Sequence, residues 1–130
     1  MNAENTSKLF KDFPSLYKGH LKPPTENLMC FGFECGDGWF ELIYELSKKI
    51  TEIDPNCEAV QIKEKFGGLR FYVGASSKEV LNLIHDYEDK SYYICMKCGS
   101  TENVIQYKMG WVIITLCSNC IIKVKKIRGE

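Results

Sequence analysis

The sequence predicts an α+β chain in which a helix, a β-hairpin and a second helix are followed by a small cysteine-rich unit, all within one compact domain. Three observations carry this expectation. Apolar residues recur at helical spacing before and after a segment that alternates with period two around Gly67-Gly68, and two Cys-x-x-Cys pairs lie near the end of the chain.

With 130 residues, 45% of them hydrophobic, the chain has the size and apolar content to build one core without disulfides. Seventeen basic residues balance seventeen acidic ones, so the overall charge points to no nucleic-acid or membrane partner, and any such role falls to a local patch. No run approaches the roughly 20 apolar residues of a membrane helix. The first residues, with Glu4, Lys8, Lys11 and Asp12, lack the apolar stretch of a signal peptide, so a cytoplasmic location is expected.

Taken in order, residues 4–13 read as a short helix with Leu9, Phe10 and Phe13 as its apolar contacts, and residues 1–28 as an N-terminal arm. Residues 29–92 form the helix, hairpin and helix module. It opens on a glycine- and aromatic-rich loop, and Asp37 is the expected N-cap of a helix whose apolar stripe is Trp39, Ile43, Leu46, Ile50 and Ile53, stopped at Asp54-Pro55. Val60–Phe66 and Leu69–Val73 then read as two strands joined by a Gly67-Gly68 turn. That register places Phe66 opposite Leu69, Glu64 opposite Phe71 and Ile62 opposite Val73, with Lys65 opposite Arg70 and Lys63 opposite Tyr72 on the other face. Ser76 and Glu79 are the expected capping box of a helix to about Asp89 with an inward stripe of Val80, Ile84 and Tyr87.

Residues 93–130 hold the strongest motif. Cys95 and Cys98 form one pair, Cys117 and Cys120 the other, and two short strands, Val104–Tyr107 and Trp111–Thr115, are expected between them. Thiolates two residues apart can turn toward one point at a tight knuckle, which Gly99 supplies, and four such ligands suit a structural zinc ion. An odd count of seven cysteines and the paired spacing favour reduced thiols and metal over disulfides. A terminal helix after the second pair makes the unit treble-clef-like; an extended segment makes it a zinc ribbon, and the β-branched run from Ile121 leaves both open. Four cysteines leave no open coordination position, and His20 and His85 lie far away in sequence, so no catalysis is expected. Cys30 and Cys35 read as core cysteines, with a second metal site the less favoured alternative.

The hairpin offers a second candidate site. Lys63, Lys65, Arg70 and Tyr72 share one face, where like charges opposed across strands invite an anion; a solvated face is the plain alternative. Asp37 and Trp39, at the glycine-rich loop, are added as candidate ligand contacts, although capping and core packing are their simpler roles; Trp111 also reads as a core anchor. Glu64 falls on the apolar face and needs a partner, most simply a loop amide.

The segments Glu34-Cys35-Gly36-Asp37-Gly38-Trp39-Phe40 and Ile62-Lys63-Glu64-Lys65-Phe66-Gly67-Gly68-Leu69-Arg70-Phe71-Tyr72, with a cysteine pair after Gly110-Trp111, resemble a family of small phage and prophage proteins. The resemblance covers roughly residues 30–120; in those relatives the last metal ligand can be a histidine where Cys120 stands here. It implies a phage-encoded accessory protein in the host cytoplasm that acts by binding, including the blocking of host defence. The leading expectation is therefore a zinc-containing module that recognises an anionic ligand, a nucleotide or nucleic acid, through the basic hairpin. The alternative is an inhibitor or adaptor that contacts a host protein through Phe31, Phe33, Met96 and Met109.

Overall fold

Asn2 Oδ1 accepts the Asn5 amide at 2.8 Å and so caps the first helix, α1 (Ala3–Asp12), in the computed structural model, which describes residues 1–130. Residues 1–28 are not an arm: Leu9, Leu16 and Tyr17 are fully buried in the main core. The Tyr17 hydroxyl donates to Ser47 Oγ, which in turn donates to the Ile43 carbonyl, so this buried polar pair is satisfied. Beyond α1 the segment is made of turns and short 3-10 pieces, which leave no hydrophobic period to read. Two single 3-10 turns, Lys18–Leu21 and Leu28–Phe31, then lead to a two-residue strand, β1 (Phe33–Glu34).

A 3-10 turn at Asp37–Trp39 runs into α2 (Phe40–Ile53), which buries Ile43, Leu46 and Ile50. Asp37 does not cap this helix with its side chain. Its carboxylate instead accepts the Asn2 amide at 2.8 Å and the Asn5 side-chain amide at 3.2 Å, holding the start of α1. After α2, Glu58 accepts Lys22 Nζ at 2.8 Å and Asn27 Nδ2 at 3.2 Å, which ties the irregular N-terminal segment to the sheet.

The hairpin comprises β2 (Ala59–Lys65) and β3 (Gly68–Val73), and the sheet order is β1-β2-β3 with β1 parallel to β2. Its turn is Phe66-Gly67, one residue earlier than expected, and both residues have positive φ (53° and 85°), as a type I′ turn requires. Gly68 belongs to β3, and no side chain fits there, since a Cβ would lie 2.3 Å from the Tyr92 hydroxyl. The pairs become Lys65 with Gly68, Glu64 with Leu69, Lys63 with Arg70, Ile62 with Phe71 and Gln61 with Tyr72. Partners move by two positions, so each of these strand residues keeps its predicted face. Phe66 alone leaves the core face and is 63% exposed.

Ser77, not Ser76, caps α3 (Lys78–Ser91) by accepting the Val80 amide, while Ser76 donates to Asp54 Oδ2. Val80, Ile84 and Tyr87 turn inward as expected. This helix lies along the outer edge of β3, where the Leu69 amide donates to Ser91 Oγ and the Phe71 amide to a Glu88 carboxylate oxygen, both at 2.9 Å.

The C-terminal unit is a hairpin of β4 (Val104–Met109) and β5 (Val112–Cys117) followed by α4 (Ser118–Ile127). The terminal segment is thus helical and the unit takes the treble-clef-like form: burial of Cys120 and Val124 outweighs the weak helix propensity of Ile121 and Ile122. Gly110, at φ +62°, and Trp111 form the two-residue turn between the strands. Trp111 is not a core anchor; at the tip of this turn it is 99% exposed. No helix is long and apolar enough to cross a membrane.

Candidate metal centre and basic hairpin

The Sγ atoms of Cys95, Cys98, Cys117 and Cys120 all lie within 4.8 Å of one another, and Cys98 and Cys117 are 3.6 Å apart. Thiolates bound to one ion at about 2.3 Å in a tetrahedron stand about 3.8 Å from each other, whereas a disulfide needs about 2.05 Å. The four cysteines therefore form a site that can hold a metal ion.

Local structure explains the convergence. Gly99, at φ +82°, lets the chain fold back after the first pair, its amide reaching the Cys95 carbonyl at 2.9 Å while the Cys95 amide reaches Ser100 at 2.8 Å. The β4–β5 hairpin then returns the chain, so that Cys117 ends a strand and Cys120 stands in the first turn of α4. Burial pushes the Cys95 thiol up, but the backbone amides of Cys98, Cys117 and Lys97 outweigh it and lower it to about 7. Cys120 is pushed up to about 12 by burial and by the neighbouring Cys95 and Cys117 thiols. Sulfurs crowded in this way cannot all ionise without a cation among them, which is the charge that a metal ion supplies.

Comparison of the chain with protein-family models, curated proteins and solved structures gave no match.

The glycine-rich loop before α2 grips the first knuckle. The Gly38 amide donates to the Met96 carbonyl at 2.9 Å, and a Cβ on Gly36 or Gly38 would lie 2.0 Å from the carbonyl of Met96 or Cys95, respectively. Trp39 is fully buried beside them and donates its indole N–H to the Ile94 carbonyl at 2.9 Å. Of the two ligand contacts expected at this loop, Trp39 is thus a core residue and Asp37 is engaged by α1. The other motif meets the same unit from the far side: Thr115 Oγ1 donates to the Gly67 carbonyl and Gln106 Nε2 to the Tyr92 carbonyl. Both sequence motifs therefore lie on the seam between the main body and the metal-binding unit.

On the hairpin, Lys63 and Arg70 are directly opposed, Lys65 is exposed and Tyr72 is 42% exposed. Arg70 is fixed by two bonds, Nη1 to the Leu69 carbonyl at 2.9 Å and Nη2 to the Tyr92 hydroxyl at 3.2 Å. It borders a groove of about 530 Å³ between β3 and α3, where Tyr72, His85, Glu88 and Tyr92 also line the walls. The α3 contribution was missed in the sequence, although Leu81, His85, Glu88 and Tyr92 follow one another at helical spacing beside the inward stripe. Glu64 has the partner expected for it, accepting the Gly67 amide at 2.9 Å.

The remaining cysteines join no such cluster. Cys30 is exposed and Cys57 buried, while burial pushes the half-buried Cys35 thiol up to about 12. Cys30 is thus no core cysteine. His20 stacks on Phe10 with ring centroids 4.1 Å apart. Phe31, Phe33, Met96 and Met109 do not form one exposed surface, because Phe33 is buried in the main core while Phe31 is 60% exposed.

Proposed function

We propose that this chain is a zinc-stapled binding protein that captures a phosphate-bearing ligand of nucleotide size in the groove between β3 and α3. The observation that carries this reading is the fixed Arg70 guanidinium at the groove, with Tyr72 and Tyr92 beside it. A guanidinium already held in place loses little freedom when a phosphate arrives, and a tyrosine face accepts a base by stacking. The groove volume of about 530 Å³ lies within the range of small-ligand sites. Lys63 and Lys65, on the same sheet face, add to the positive field. Glu88 and Asp89 on the α3 wall are acceptors suited to the hydroxyls and exocyclic amines of a nucleoside.

Zinc is the ion we assign to the four cysteines, because a tetrahedral all-thiolate set suits it and leaves no position open for substrate. Its role here is scaffold. The resemblance of both seam motifs to small phage and prophage proteins supports an accessory protein that works in the host cytoplasm by sequestration, removing a nucleotide signal of host defence without chemical change.

Calorimetric titration of the zinc-loaded chain with a panel of linear and cyclic nucleotides tests this. We expect saturable binding that weakens little with salt, and at least tenfold loss in the double variant Lys65→Ala/Arg70→Ala. Undiminished affinity in that variant, or no binding across the panel, defeats the reading. A steep salt dependence with oligonucleotides alone identifies nucleic acid as the ligand of this face instead.

A further inference from the structure

Charge is segregated along a chain whose total is zero. Residues 93–130 carry six basic residues, Lys97, Lys108, Lys123, Lys125, Lys126 and Arg128, against two acidic ones, Glu102 and Glu130; residues 1–92 carry eleven basic and fifteen acidic. A divalent ion among four thiolates returns two negative charges and still leaves the unit positive.

This basic unit also presents its most exposed aromatic ring at a fixed point. Trp111 tips the β4–β5 hairpin at 99% exposure and packs against nothing that would explain a tryptophan there. Behind the tip, a hollow of about 240 Å³ separates the hairpin from α4, with Met109, Ile114, Val124 and Ile127 lining it and Lys97 and Arg128 as its two cations. Lys125 Nζ stands 6.0 Å from the Tyr107 ring centroid, so α4 adds a further cation where it packs on the hairpin. Arg128 pairs with Glu130 at 3.5 Å, an exposed pair that solvent screens.

We propose that the metal-binding unit carries a second site, for single-stranded nucleic acid, in which Trp111 stacks on a base and Lys97, Lys125 and Arg128 contact phosphates. A ring projecting from a two-residue turn needs an open base face, which a single strand offers and a duplex already stacked does not. Lys97 and Arg128 border apolar side chains, and Glu130 beside Arg128 is the one acid paired with a cation of this group, which suits a polyanion with unstacked bases better than an acidic protein patch. The site shares no residue with the β3–α3 groove, so failure of nucleotide capture there leaves it intact.

The test uses the full zinc-loaded chain and a labelled oligothymidylate of about 12 nucleotides. The chain has two tryptophans, Trp39 buried and Trp111 exposed, so quenching at the red edge of the emission reports Trp111 directly. We expect saturable quenching at low salt and about tenfold weaker binding, by anisotropy, for Trp111→Ala. Lys125→Ala/Arg128→Ala should weaken binding similarly and reduce the slope of log affinity against log salt by about 1.4, the loss of two phosphate contacts. Circular dichroism of each variant verifies that the fold is kept; all three side chains are exposed and their loss leaves the core intact. Absence of quenching at low salt, or full affinity in both variants, overturns the proposal. Quenching by anionic lipid vesicles without oligonucleotide binding overturns it in favour of a membrane surface.

Discussion

The Gly38 amide donates to the Met96 carbonyl at 2.9 Å, joining the loop before α2 to the backbone between the first two metal-ligating cysteines. Because Gly36 and Gly38 both approach that backbone more closely than any side chain permits, body and metal-binding unit are coupled through main-chain contacts.

Gly38→Ala is therefore expected to destabilise the protein by about 1–3 kcal/mol through forced separation of the two backbones. It should also speed metal release to a chromophoric chelator, since the knuckle loses its support. A variant that melts and releases metal like the parent would show that the contact is incidental.

Removal of the metal, by chelation or by Cys117→Ser, should unfold residues 93–130 while the larger core persists. The small core of that unit contains three of the four metal-ligating cysteines, whereas the main core has nineteen buried residues of its own. Hydrogen exchange measures this: protection should vanish in β5 and α4 and survive at Leu46 and Ile62. Complete protection throughout would mean that packing alone sustains the unit.

Phe66 occupies a left-handed backbone position, φ 53°, with its ring mostly in solvent. A residue with a Cβ costs about 1–2 kcal/mol there, and asparagine tolerates the conformation far better. Phe66→Asn is expected to stabilise the chain by about 1 kcal/mol, a rise of a few degrees in Tm. An unchanged or lower Tm would assign the ring a packing role that its exposure conceals.

Glu58 is held below its usual carboxylate value by its hydrogen bond from Lys22, with further help from the Lys18 charge and Asn27. A carboxyl lowered in the folded state contributes stability above its unfolded value, and that contribution disappears as pH falls through the lowered one. Thermal melts of the parent and Glu58→Gln should therefore differ most above the ordinary carboxylate range and converge as the pH falls through the lowered value. A gap that widens on acidification would contradict this sign.

Side-chain spacing made much of the architecture readable: the four cysteines, the stripe Ile43, Leu46 and Ile50, and the faces of the hairpin all follow from period and separation. The turn was misplaced because Phe66-Gly67-Gly68 admits two hairpins, and the need for a residue without a Cβ at Gly68, against Tyr92 more than twenty residues away, is not written in the local sequence. Trp111 was misjudged because a large aromatic in a strand-turn-strand segment has the same local signature whether it faces a core or water. The roles of Gly36 and Gly38 depend on a partner backbone about sixty residues downstream, and no local pattern encodes that. The α3 wall of the groove went unread because most of its residues, Leu81, His85, Glu88 and Tyr92 among them, flank the stripe that reports burial.

The amides of Leu69 and Phe71, which a terminal strand would otherwise present to any passing chain, are occupied by Ser91 and Glu88 from the helix alongside. A second molecule finds that stretch of sheet closed to edge-to-edge pairing. Growth of copies into fibres by strand addition would therefore have to begin at some other margin of the chain.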